Sequence, residues 1–332
     1  MKKKIALVTG GAGFIGSHLV DLLIKKNFEV RVIDNLQGGH LKNLKHHKKN
    51  KNLIFKKIDI NKLSKSETIF KNVKYVFHLA GIGDIVPSID NPKNYLLTNV
   101  QGTVNVLEAS RYAKVKKFVY AASSSCYGIN KKMVEEKDLI DPQYPYALSK
   151  NLGEQVCMHW HKVYNLPVNS MRIFNCYGPR VRTTGAYGAV FGVFFKQKLS
   201  GKPLTVIGNG KQSRDFIFVS DVADAFFKAA ITKVKGEIFN LGNSKPQSIN
   251  KLVKLIKSEI VTIADRPGEP KKTWANINKI KKLLRWRPKV NFEKGVKQML
   301  NEINYWQDAP LWSPKKIKNV TKSWFKYLNK KL

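Results

Sequence analysis

Ile5-Ala6-Leu7-Val8-Thr9-Gly10-Gly11-Ala12-Gly13-Phe14-Ile15-Gly16-Ser17 opens the chain with a β-type apolar run, a glycine-rich turn and the start of a helix. Apolar residues recur at helical spacing from Phe14 through Ile24. The glycines allow a tight turn and let backbone come close to a pyrophosphate. The helix N-terminus would offer unpaired N–H groups and a positive dipole end to the same phosphates. Gly10, Gly13 and Gly16, with Phe14 and Ile15 at the helix start, are therefore candidate dinucleotide contacts. A second strand, Glu29-Val30-Arg31-Val32-Ile33, ends at Asp34, at about the 20-residue offset such a site requires. A carboxylate there accepts hydrogen bonds from the adenosine ribose and repels a 2′-phosphate. The expected cofactor is NAD rather than NADP.

Further strands are expected at Leu53–Lys57, Tyr75–Leu79, Lys117–Ala121 and Val168–Phe174, with helices at Asn94–Ala113 and Tyr146–Tyr164. Alternating strands and helices predict an α/β fold, a doubly wound parallel sheet of Rossmann type. After Phe174 the pattern changes. Glycine and proline become frequent, and short strands at Leu204–Ile207, Phe216–Val219 and Glu237–Asn240 mix with helices. The expected division is a cofactor-binding domain over 1–175 and a smaller C-terminal α/β substrate lobe with a tail over 176–332, part of the later chain returning to the first unit. The tail carries Tyr305, Trp306, Trp312, Trp324, Phe325 and Tyr327, and is expected to pack back onto the body.

Composition narrows the function classes. With 332 residues, 43% of them hydrophobic, the chain can bury a large core. The net charge is +37, but it is mostly lysine spread along the chain. No arginine cluster with interleaved aromatics offers a base-stacking platform. A solvated lysine surface is expected, with no nucleic acid as partner, although such a surface can steer an anionic substrate. The apolar run behind Lys2-Lys3-Lys4 is too short for a signal peptide, and no stretch approaches a membrane span. Cys126, Cys157 and Cys176 are odd in number and widely spaced, which fits neither a disulfide framework nor a metal site and points to a reducing cytoplasm.

The chemistry is carried by Tyr146-Ala147-Leu148-Ser149-Lys150, preceded by Pro142 and Pro145. At i and i+4 on a helix, Tyr146 and Lys150 share one face. A phenol is a poor base at neutral pH. A neighbouring ammonium and a positive nicotinamide ring are expected to favour its phenolate, which could then take a proton from a sugar or alcohol hydroxyl. Upstream, Lys117-Phe118-Val119-Tyr120-Ala121-Ala122 runs into Ser123-Ser124-Ser125-Cys126-Tyr127-Gly128. The carboxyl ends of strands face the ligand crevice in a doubly wound sheet, so Ser123 can hydrogen-bond the same hydroxyl.

These three elements, in this order, resemble the extended short-chain dehydrogenase/reductases, in particular the nucleotide-sugar epimerase/dehydratase group. The resemblance implies Ser123, Tyr146 and Lys150 as the catalytic trio. It implies Asp34 and Asn35 at the adenosine ribose, Asp59 and Ile60 on the adenine side, Leu79, Ala80 and Gly81 under the cofactor, and Asn99 near it. For a nucleotide-sugar substrate it implies Asn175 and the loop reaching Ala189 and Val190, with Ser123 and Ser125 at the sugar. Arg214 and Arg266 would clamp the diphosphate, a task suited to guanidinium forks. Asp215 is read as structural. The resemblance also implies a homodimer, with helices such as Asn94–Ala113 and Tyr146–Tyr164 packed into a four-helix bundle.

Dehydratases of this group place Asp-Glu directly after the catalytic Ser or Thr; here Ser124-Ser125 follow. Dehydration and decarboxylation are disfavoured, and 4-epimerisation of a UDP-sugar through a 4-keto intermediate is expected. Thr273, small where strict hexose epimerases are bulky, leaves room for an N-acetyl group and points to UDP-N-acetylglucosamine, with UDP-glucose tolerated. A UDP-glucuronate 4-epimerase stays open through Arg180 and Arg182, whose alternative role is a salt bridge or solvent. A dehydratase or reductase of the same fold and a catalytically idle nucleotide sensor are further alternatives. His40, His46 and His47 are read as solvated rather than as metal ligands, and Cys126 as a packing residue; no metal is expected.

Overall fold

Six parallel strands form where the apolar runs place them: β1 (Ile5–Thr9), β2 (Glu29–Asp34), β3 (Leu53–Lys57), β4 (Tyr75–His78), β5 (Lys117–Ser123) and β6 (Val168–Ile173). The computed structural model describes residues 3–130, 132–181 and 190–329. A seventh strand, Glu237–Leu241, lies parallel to β6, and the order across the sheet is Glu237–Leu241, β6, β5, β4, β1, β2, β3. The later chain thus returns to the first sheet through a segment that sequence pattern alone grouped with the short strands. The sheet grows outward from β1 through β3 and then crosses back to β4. A ligand crevice opens beyond the carboxyl ends of strands at such a reversal.

Period-two alternation explains why these strands read as continuous apolar runs. In β1, Ala6 and Val8 join the core on one face, while Ile5 and Leu7 join the core on the other. In β5, Val119 and Ala121 point one way, and Phe118, Tyr120 and Ala122 the other. Helix α1 (Phe14–Lys25) covers the first face with Leu19, Val20 and Leu23, beside the helix Val219–Ile231.

The second face carries α2 (Pro92–Leu96), α3 (Gly102–Tyr112) and α4 (Pro145–Tyr164). The segment expected as one helix from Asn94 is interrupted by a π turn, Leu97–Gln101. Such widened turns change which side chains face inward, and Asn99 sits on this one, 1% exposed. Helix α4 begins one residue earlier than expected because Pro145 occupies its first turn, where the missing N–H leaves nothing unpaired.

A separate aromatic core forms in the second half. Tyr177, Phe191, Phe216 and Phe292 pack ring on ring, and Trp306 of the tail closes it. Two short parallel pairs frame it, Asn175–Tyr177 with Phe216–Phe218 and Leu204–Ile207 with Ile260–Ile263. Among the described residues, no helix is long and apolar enough to cross a membrane.

Candidate active site

The glycine turn is fixed by close backbone approach. Gly10 has φ +68°, and a Cβ there would lie 2.7 Å from Ala80 N. A Cβ on Gly16 would lie 2.2 Å from Gly10 O. Gly13 N–H donates to Gly10 O (3.0 Å), and Gly10 N–H to Ile33 O (2.8 Å). The turn thereby stays against the β4 loop while the N-terminus of α1 opens on a cleft of about 480 Å³. Gly16→Ala is expected to destabilise the protein by ~1–3 kcal/mol or more and to abolish cofactor retention, checked by thermal melting and by the cofactor released on denaturation.

This cleft is lined by Gly10, Gly13, Phe14, Ile15 and Gly16, by Asp34, Asn35 and Ile60, and by Leu79, Ala80 and Gly81. The Asp34 carboxylate accepts from Ala12 N–H (3.0 Å) and Leu36 N–H (2.8 Å), and burial raises its pKa. Asn35 donates weakly to Asp59 (3.4 Å), which caps the turn Ile60–Lys62. These residues fit NAD: a bare glycine cradle at a helix N-terminus, with an acceptor at the end of β2. Asn99 stands behind the wall. It accepts from Ile82 N–H (2.8 Å) and donates to Ile82 O (3.1 Å) and Ser149 Oγ (2.9 Å), tying the β4 loop to α4.

Ser123 ends β5 and caps the turn Ser124–Tyr127 by accepting from Ser125 N–H (3.2 Å). Its hydroxyl lies close enough to Tyr146 to favour the phenolate. Burial raises the Tyr146 pKa, the Ser123 bond lowers it and the Asp84 carboxylate raises it, with a net rise. The expected help to the phenolate is that of Lys150 together with a positive nicotinamide ring, and so belongs to the cofactor-bound site. The Lys150 ammonium lies over the Tyr120 ring, 4.5 Å from its centroid, and burial pushes its pKa down to about 8. Desolvation by burial is the largest influence on both groups.

A second cleft of about 360 Å³ meets the first at Gly83 and Asp84. Ser125, Asn175, Val190, Arg214, Arg266 and Thr273 line it. Thr273 Oγ1 donates to Asn175 Oδ1 (2.8 Å) and accepts from Asp215 N–H (2.9 Å). Arg266 pairs with Glu269 at 3.2 Å, and Arg214 is close enough for the two guanidinium groups to repel. Two guanidinium forks set this close together, with Glu269 beside them, are suited to a diphosphate. Ala189 and Arg182 lie outside the described residues. The Asp215 carboxylate accepts from the backbone of Ala275, Asn243 and Ser244, a structural use.

His46 and His47 are not simply solvated. Both Nε2 atoms reach Asp21 Oδ1, at 2.7 and 2.8 Å, while Arg180 holds Asp21 Oδ2 at 2.8 Å. The pull of one shared carboxylate overrides the lysine-rich character of the loop. Cys126 is buried and its pKa is pushed up to about 12, as befits a packing thiol.

Four residues near the site went unnoticed in the sequence as participants. Tyr120 carries the Lys150 ammonium on its ring. Tyr144 stacks parallel to Tyr146 (6.5 Å, 8°) and lines the second cleft with Ser125. Asp84 acts on Tyr146, and Trp324 lines the second cleft. Tyr144 could have been found from its two-residue offset to Tyr146; the others have no local signal.

Residues 6–242 match the model of the NAD dependent epimerase/dehydratase family. A putative UDP-glucose 4-epimerase of Methanocaldococcus jannaschii is 37% identical over 89% of this chain and 97% of its own length. The structure of a UDP-N-acetylglucosamine 4-epimerase from Methanobrevibacter ruminantium, in complex with UDP-N-acetylmuramic acid, is 32% identical with TM-score 0.84, covering 91% of this chain and 100% of that one. A UDP-glucuronic acid 4-epimerase from Bacillus cereus, in complex with UDP-glucuronic acid and NAD, is 33% identical with TM-score 0.85, covering 90% and 99%. With glycine turn, serine turn and Tyr/Lys helix gathered around two joined clefts, the chain belongs to the NAD-dependent epimerase/dehydratase family.

Proposed function

We propose that this chain is an NAD-dependent 4-epimerase of a UDP-hexose or UDP-N-acetylhexosamine. The carrying observation is the joining of the two clefts beside the serine turn: Ser124 and Ser125 line the second cleft and supply no carboxylate for dehydration, while Asp84, which lines both clefts, and Tyr144, which lines the second, lie against Tyr146. Ser123 orients the sugar's C4 hydroxyl, and Tyr146 takes its proton and later returns one. NAD, when bound, supplies the hydride acceptor and donor for C4. Lys150 holds a positive charge behind the tyrosine. Arg214 and Arg266 hold the diphosphate while the sugar turns to present its other face. Residues 1–175 with Glu237–Leu241 serve the cofactor, and the remainder serves the nucleotide sugar.

The small Thr273 side chain, turned toward Asn175, supports room at the sugar C2 substituent. The similarity to the Bacillus cereus enzyme favours a UDP-hexuronate as a second reading. Incubation with UDP-GlcNAc, UDP-Glc and UDP-GlcA separately, without added cofactor, is expected to give the galacto isomer of a neutral donor in the anomeric proton spectrum. A 4-keto-6-deoxy product, or no isomer from any donor with NAD added, would refute the epimerase reading.

A cytoplasmic homodimer accompanies this reading. Leu96, Leu97, Leu148 and Val163 leave apolar surface exposed on α2, the π turn and α4, where a second copy would pack. Light scattering at twice the chain mass is the expected result.

Lys150 also predicts a pH effect. Its folded pKa, about 8, lies below the ordinary 10.5. The unfolded chain binds that proton more tightly, so the penalty is fully present below pH 8 and fades as the pH rises toward 10.5. Lys150→Met is expected to melt higher than the wild type at pH 7, with the gap narrowing above pH 8, while activity is lost. A lower melting temperature at pH 7 would contradict this.

A further inference from the structure

The chain after the last core helix visits both clefts. Tyr305 lines the cofactor cleft and donates to Asn43 Oδ1 at 3.4 Å. Trp312 O accepts from Gln197 Nε2 at 2.8 Å, and Ile317 is buried, so the path onward is anchored. The segment ends in the helix Lys322–Leu328, whose Trp324 is 1% exposed and lines the second cleft.

The contacts of this indole are specific. Its Nε1–H donates to Pro267 O at 2.7 Å, one residue after Arg266. Its ring packs on Tyr144, with centroids 5.2 Å apart. Tyr144 in turn stacks parallel to Tyr146. Leu328 of the same helix faces Gly268, where a methyl group would lie 3.5 Å from Leu328 Cδ1. Gly268 has φ +73°, so the loop holding Arg266 and Glu269 turns sharply against the tail. The relatives described above are matched over 97–100% of their length by 89–91% of this chain.

We infer that Trp324 is a positioning residue that links the diphosphate clamp to the candidate catalytic tyrosine. The indole fixes the backbone that aims Arg266 and backs the ring that stacks on Tyr146. The role rests on the proposed nucleotide-sugar site, but not on which reaction that site performs.

The test uses full-length Trp324→Phe and Trp324→Ala, with UDP alone as the calorimetric probe and the turned-over UDP-sugar as the kinetic one. Phenylalanine keeps a ring for Tyr144 and loses the N–H for Pro267. It is expected to weaken UDP binding and raise KM about twofold to tenfold, the effect of one hydrogen bond, with kcat nearly unchanged. Alanine is expected to weaken UDP by about tenfold or more and to lower kcat as well. Retained NAD should stay at the wild-type level in both. Unchanged UDP affinity and KM in both variants, with only the melting temperature lowered, would make Trp324 a packing residue and overturn the inference. Wild-type protein that does not bind UDP would overturn it too. UDP binding that weakens as expected in a protein epimerising no donor would leave the inference standing and remove the epimerase reading. If the alanine variant does not fold, the phenylalanine variant decides alone.

Discussion

Tyr146→Phe is expected to lower kcat by about 10²–10⁴-fold, the usual worth of a positioned acid or base, while KM changes little. The ring would still stack on Tyr144 and meet Tyr95 edge-on, since neither contact uses the hydroxyl. Only the proton-transfer atom and its bond to Ser123 are lost. The base must be ionised to act, and burial and Asp84 raise its pKa. Activity should therefore fall on the acid side, as the pH drops through that pKa. Asp84→Asn removes a charge that opposes the phenolate, so the acid limb should move to lower pH. Steady-state rates of the three proteins, carried up to about pH 11 so that the window reaches the phenol range, give both readouts. A Tyr146→Phe variant keeping more than about a tenth of wild-type kcat would exclude the tyrosine as the proton acceptor.

The parts legible in the sequence are those encoded over short distances. The Gly10–Gly16 turn, the β2 terminus at Asp34 and the i, i+4 pair Tyr146/Lys150 are each specified within one or two turns of chain; the first two line one crevice, and a Cβ on Gly81 of its wall would lie 3.9 Å from Lys150 Nζ. Chain order through β5 and α4 was enough to put Ser123 beside Tyr146. What escaped depends on residues far apart in sequence. Trp324 meets Pro267 and Tyr144 across 57 and 180 positions, and no periodicity reports such a meeting. The π turn was hidden because one extra residue in a helical turn hardly disturbs the apolar pattern, yet it places Asn99 between Ile82 and Ser149. The balance on Tyr146 was also out of reach. The shared helix face of Tyr146 and Lys150 follows from spacing, but the desolvation that shifts both groups follows from packing.

Glu154→Ala is expected to cost about 3–5 kcal/mol of stability, the usual penalty for stranding one member of a buried ion pair. Glu154 lies on α4 two turns beyond Tyr146, and Arg172 lies on β6; their side chains are 3% and 4% exposed. Arg172 donates to Glu154 Oε1 through Nη2 (2.6 Å) and Nε (3.0 Å), and Ser170 Oγ donates to Oε2 (2.8 Å). The other guanidinium arm, Nη1, donates to Tyr127 OH (2.8 Å) and Glu136 O (3.0 Å). Tyr127 closes the serine turn and donates its own hydrogen bond to Asn240 Oδ1 (2.7 Å). One cation thus pins α4, the serine turn and the seventh strand to β6, beneath Ser123 and Tyr146. Removing the carboxylate leaves a charged guanidinium in the core. Replacing both partners, as in Glu154→Leu with Arg172→Met, removes the charge and should recover most of the loss. Activity should not recover with it, because Tyr127 has lost its donor and the turn that aims Ser123 is no longer held. Urea midpoints for the two single variants and the pair measure the coupling directly. A single-variant cost below about 1 kcal/mol would mean that water reaches the guanidinium and the pair is not an anchor. A double variant with full kcat would mean that the serine turn holds itself.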